Sequence, residues 1–124
     1  MGRVVHFEIH AEDLDRAEGF YTEVFGWEVH KFDGPVDYRL LNTGPNNEAG
    51  IDGALTERRL DRDGDAVIAY VCTVQVDDIE ATEAKVKEAG GEQVVDRQEI
   101  PEVGQLSYFK DTEGNIFGAM QPAS

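Results

Sequence analysis

The chain uses one pattern twice. Residues 4–56 read strand, helix, then three strands, and residues 67–121 read the same order again. The echo continues residue by residue. Asp13-Leu14 before the first helix matches Asp78-Ile79 before the second, Gly26 then Val29 matches Gly91 then Val94, and Tyr38 then Gly44 matches Tyr108 then Gly114. A repeat this long that occurs only twice is not a solenoid unit. It predicts two copies of a βαβββ module with a ligand space between their sheets. The fold class is therefore α+β: two tandem modules, 4–56 and 67–121, joined by a linker at 57–66 within a single domain, 1–124.

Local chemistry supports each element. Residues 4–10 alternate, with His6, Glu8 and His10 on one face and Val5, Phe7 and Ile9 on the other. The apolar row predicts a strand packed on a helix, and the polar row faces whatever the sheet encloses. Asp13 is an N-cap, Leu14, Ala17, Phe20 or Tyr21, Val24 and Phe25 follow at helical spacing, and Gly26 ends the helix. Strands follow at 27–32, 36–43 and 51–56. In the second half, strands fall at 67–76, 94–99, 105–110 and 116–121, around a helix capped by Asp77 or Asp78 and stopped by Gly90-Gly91. The linker alternates Asp61, Asp63 and Asp65 but lacks the glutamate and length of a calcium loop, so it reads as a solvated connector.

Charge narrows the partners. There are 26 acidic against 11 basic residues, a formal net charge of -15. Such a field repels nucleic acid and anionic membranes, and both are excluded as partners. The carboxylates are spread along the chain, so they signal neither a tail nor disorder. Either the ligand is cationic or the acidic surface is a halophilic adaptation. The scarcity of lysine relative to arginine favours the second. One cysteine, Cys72, permits no internal disulfide. With no membrane-length apolar run and no signal-peptide pattern, a cytoplasmic location is expected.

The residues able to do chemistry are few. His6, Glu8 and His10 share a face, and a histidine beside a carboxylate is the usual general base near neutral pH. The competing possibility is that the three bond to one another. Trp27, Tyr38, Tyr70 and Tyr108 are candidates to line a pocket for a flat or apolar ligand. Tyr38 and Tyr108, as repeat equivalents, are expected to face each other. Thr73 and Gln75 share a face with Val71. Cys72 has the opposite parity and is expected to be buried beneath the second helix. No Ser/His/Asp arrangement and no phosphate-binding glycine loop can be read.

Particular phrases resemble the vicinal oxygen chelate superfamily of glyoxalases, bleomycin-resistance proteins and extradiol dioxygenases. They are His6 on the first strand, Asp13-Leu14-Asp15-Arg16-Ala17 with Phe20-Tyr21 and Phe25-Gly26-Trp27, and Gly50-Ile51-Asp52-Gly53. In the second half they are Val76-Asp77-Asp78-Ile79, Ala89-Gly90-Gly91 and the run from Phe109 to Gly118. The resemblance implies a cupped, barrel-like mixed sheet and, where a metal is present, four strand ligands. Those positions fall on His6, on Asp52 or Gly53, on Val71 and on Gly118. Valine and glycine offer no side-chain donor, so the family's metal chemistry is not expected.

The resulting expectation is a homodimeric small-molecule binding protein of the glyoxalase and bleomycin-resistance type, with no cofactor. His6, His10, Trp27, Tyr38, Thr73 and Tyr108 contact the ligand, and His6, Glu8 and His10 are the catalytic candidates. Two alternatives stand beside it. One is a lyase or dioxygenase using a divalent metal at His6 and Asp52. The other is an interaction module whose cup is filled by its own aromatic rings.

Overall fold

The computed structural model describes residues 2–32, 34–58 and 70–124. Two compact units emerge, residues 6–71 and residues 1–5 with 72–124. The elements run β1 (Arg3–Ala11), α1 (Leu14–Phe25), β2 (Glu28–Lys31), β3 (Tyr38–Asn42) and β4 (Gly53–Glu57), then β5 (Tyr70–Gln75), α2 (Ile79–Glu88), β6 (Glu92–Ile100), β7 (Gly104–Lys110) and β8 (Ile116–Pro122). The βαβββ order thus occurs twice. The connector residues Asp61, Asp63 and Asp65 and the predicted strand start at 67–69 lie outside the described residues.

In the first unit the strand order is β2-β3-β4-β1, with β1 and β4 parallel and the other neighbours antiparallel. Helix α1 begins where the Asp13 side chain accepts from the Arg16 amide at 3.0 Å, and it ends at Gly26 in the left-handed conformation (φ 70°). Its inward residue Leu14 meets Ile9, Leu41 and Leu55, flanked by Phe7, Ala17, Tyr21 and Trp27. Each fully buried aliphatic side chain there contributes about 1.5–3 kcal/mol. The Phe7–Ile9 row therefore packs on the helix, as alternation requires. Within the sheet, the Phe7 ring lies over its β4 partner, so that a Cβ on Gly53 would lie 2.5 Å from it. Arg39, almost fully buried on the same side, ties β3 to α1 by bonding Asp37, Asp15 (2.8 Å) and Glu18 (3.0 Å). The guanidinium bonded to Asp37 holds that carboxyl below its ordinary value.

The second unit repeats the arrangement as β5-β8-β7-β6, with β5 and β8 parallel. Asp78 is the N-cap of α2, accepting from the Ala81 amide at 3.2 Å, and Ile79 is buried beneath the helix. The expectation for Cys72 is overturned: the thiol is exposed. Its opposite parity to Val71 holds, since Val71 and Thr73 are the buried members of β5. Helix α2, however, packs over β6, β7 and β8, which leaves Cys72 on an uncovered part of the sheet. Among the described residues no helix is long and apolar enough to cross a membrane.

Candidate functional site

Strand alternation turns His6, Glu8 and His10 to the face of β1 away from α1, and the same period turns Tyr38 of β3 toward them. The four side chains form one hydrogen-bonded chain. The Tyr38 hydroxyl donates to Glu8 Oε2 at 2.8 Å, and Glu8 Oε1 accepts from His10 Nε2 at 3.0 Å. With its only proton committed to Glu8, the Tyr38 oxygen accepts from His6 Nε2 at 2.9 Å. Glu8, His10 and Tyr38 are buried, while His6 is half-buried. Burial pushes the His6 pKa down, and this outweighs the upward pull of the Glu8 and Asp52 charges and of the Asp52 carbonyl.

Register settles which residue of the Asp52-Gly53 pair shares the His6 face. Phe7 pairs with Gly53 across the parallel β1–β4 ladder, so Gly53 belongs to the helix side and Asp52 to the His6 side. Asp52 Oδ1 accepts from the Thr43 amide at 2.9 Å and from the Thr43 hydroxyl at 3.3 Å. His6 and Asp52 open together onto a cleft of about 410 Å³, also lined by Glu28, His30, Leu40 and Asn42. Sequence reasoning missed these four. Tyr38, Leu40 and Asn42 do alternate onto one face of β3, and His30 pairs with Leu40, so the signal was present.

Of the other expected contact residues in the first unit, Trp27 lies away from this cleft. Trp27 stacks on Tyr21 (centroids 5.2 Å apart, planes 4° apart) and packs against Phe7 and Phe25, on the helix side of the sheet. Thr73 and Tyr108 are buried in the second unit beside Gly118, where an added Cβ would meet each at 3.5 Å.

The side-chain donors around His6 are engaged by neighbouring groups. His6 Nε2 is engaged by Tyr38, both Glu8 oxygens hold hydrogen bonds, and Asp52 Oδ1 is held by Thr43. Val71 and Gly118 carry no donor side chain. Among the described residues no three His, Cys, Asp or Glu side chains are grouped to hold an ion.

Comparison with known proteins agrees with this architecture. A family model described as bleomycin resistance protein-like N-terminal matches residues 3–44. A glyoxylase-like domain-containing protein from Didymella fabae is 30% identical over 122 residues, covering 92% of this chain and 89% of that one. The chain belongs to the vicinal oxygen chelate superfamily. A Mycobacterium bovis relative of this vicinal oxygen chelate protein, carrying a glyoxylase name, is 27% identical over 124 residues, and the chain spans 45% of its length. Among solved structures, the methylmalonyl-CoA epimerase of Mycobacterium tuberculosis superposes with a TM-score of 0.68 at 19% identity, covering 98% of this chain and 88% of that chain. A methylmalonyl-CoA epimerase in complex with methylmalonyl-CoA gives 0.70 at 18%, covering 100% and 96%. At such identities the likeness shows the α+β fold alone.

Proposed function

We propose that this vicinal oxygen chelate protein binds a small organic molecule in the cleft beside His6 and does so without a resident metal ion. The observation that carries this reading is the Tyr38 hydroxyl seated 2.9 Å from His6 Nε2, in the place where a coordinated ion would otherwise use that nitrogen. The cleft offers imidazole rings from His6 and His30, the Asn42 amide, and the carboxylates of Glu28 and Asp52. That lining favours a ligand rich in hydrogen-bond donors, such as an amine or a polyol, over an anion. His6, with its lowered pKa, is suited to accept a hydrogen bond or a proton from the ligand at neutral pH. Glu8 and His10 hold Tyr38 and so position His6 without reaching the cleft themselves.

The test combines elemental analysis with thermal shift. Protein purified without chelator is screened against small amines and polyols at fixed potassium chloride. A ligand at about 100 times its Kd adds about 2.7 kcal/mol to the folded state. Stabilisation that survives dialysis against EDTA and is lost in His6→Ala supports the reading. A stoichiometric metal that disappears in His6→Ala, or stabilisation abolished by EDTA, overturns it.

A further inference from the structure

A second cleft in the first unit, of about 470 Å³, lies where the end of β1 meets the start of α1. Its apolar lining is Ile9 together with three rings, Phe20, Tyr21 and Tyr70. Its cations are Arg16 and Arg58. In a chain of net charge -15, two arginines beside exposed aromatic rings stand out. We propose that this cleft is a binding site for a planar aromatic carboxylate, separate from the cleft beside His6.

The neighbouring carboxylates are already committed. Glu12 pairs with Arg58 at 3.0 Å, and Asp13 accepts the amide of Arg16 as the helix cap. Arg58 is further anchored by donating to the His10 carbonyl at 3.2 Å, which fixes the guanidinium. The guanidinium of Arg16 makes no hydrogen bond or ion pair with the described residues and is left to meet an anion. A guanidinium engages a carboxylate by two parallel hydrogen bonds and also stacks on aromatic faces, so the two residue types together select an acid carrying a ring. The phenols do not oppose an anion. Tyr21 and Tyr70 share a hydrogen bond of 2.8 Å, and burial with that bond pushes the Tyr21 pKa up to about 12, so its ring stays uncharged. Phe20 is 56% exposed and Tyr70 55%, which leaves apolar surface for a ligand ring to cover.

The experiment titrates 2-naphthoate and its neutral analogue 2-naphthylmethanol into the full chain by calorimetry. The single tryptophan serves as a reporter, since Trp27 stacks on Tyr21. Naphthoate is expected to bind, to shift the Trp27 indole N–H resonance, and to weaken about tenfold or more in Arg16→Met through loss of a charge-assisted bond. The alcohol is expected to bind at least as weakly as naphthoate binds to that variant. His6→Ala, which disables the proposed first site, leaves naphthoate affinity unchanged. The proposal is overturned if naphthoate does not bind, if acid and alcohol bind equally, or if affinity depends on His6 and not on Arg16. Tyr70→Ala gives a second variant, at a position 55% exposed, and is expected to weaken both compounds.

Discussion

Replacing Tyr38 by phenylalanine tests the polar chain most directly, because the substitution removes one oxygen and preserves the ring. That oxygen donates to Glu8 at 2.8 Å and accepts from His6 at 2.9 Å, and the side chain is 1% exposed. A hydrogen bond to a charged acceptor contributes about 1.5–3 kcal/mol and a neutral one about 0.5–1.5, so the loss comes to about 2–4 kcal/mol. For 124 residues, an unfolding entropy of about 2.1 cal/mol/K per residue turns that loss into a fall in Tm of about 8–15 °C. Urea titrations of wild type and Tyr38→Phe at neutral pH give the free-energy difference, and a calorimetric scan gives the temperature shift. Nitrogen-15 NMR of the His6 ring adds a specific readout, because the bond to Tyr38 keeps the proton on Nε2 and its removal relaxes that preference. A variant with an unchanged urea midpoint and an unchanged His6 ring signature would refute the hydrogen-bonded chain, and with it the engagement of His6 Nε2 by Tyr38.

Three other outcomes follow from the same geometry. The folded His6 ring titrates below its unfolded value of 6.5, so the unfolded chain gains the proton first as the pH falls. Stability is therefore full above pH 6.5 and declines as the pH drops from there through the folded value. His6→Gln removes this component, and a wild-type minus variant difference that stays constant between about pH 7.5 and about pH 5 would contradict it. Gly53→Ala puts a methyl group 2.5 Å from the Phe7 ring and is expected to cost about 1–3 kcal/mol. Adding Phe7→Leu should recover part of that loss, and strict additivity in the double-mutant cycle would rule out the contact. Finally, a net charge of -15 predicts that the urea midpoint rises with potassium chloride, most steeply up to about 1 M, where the screening length shrinks to about 3 Å. A flat response would remove the basis for a halophilic assignment.

Much of the fold could be read from local chemistry. The caps Asp13 and Gly26 act through their own backbone neighbourhood, and strand alternation on β1 separates Phe7 and Ile9 from His6 and Glu8 without reference to any partner. What remained ambiguous depended on pairing. Asp52 could be told from Gly53 only once the β1–β4 register was known, because a slip of one residue exchanges the two faces. Cys72 was misplaced for a related reason: parity gives the face, but only the reach of α2 decides whether that face is covered. Trp27 was assigned to the pocket by residue type, whereas its neighbours Tyr21 and Phe25 on the helix decide its side. The arginine-flanked cleft was illegible, since Arg16 and Arg58 are far apart in sequence and meet only through the turn from β1 into α1.

The two-sided character of β1 also bears on how the chain avoids folding wrongly. A shift of β1 by one position against β4 would drive Glu8 and His10 into the aliphatic layer under α1 and turn Phe7 and Ile9 toward Tyr38. A buried carboxylate stranded among leucines would make such a misaligned state far less stable than the native one, and the bulk of Phe7 fits only opposite a residue without a side chain. The first strand therefore acts as a frame-setting element: the same residues that furnish the polar chain penalise a slip of one residue in the sheet, so selection for the site also protects the fidelity of assembly.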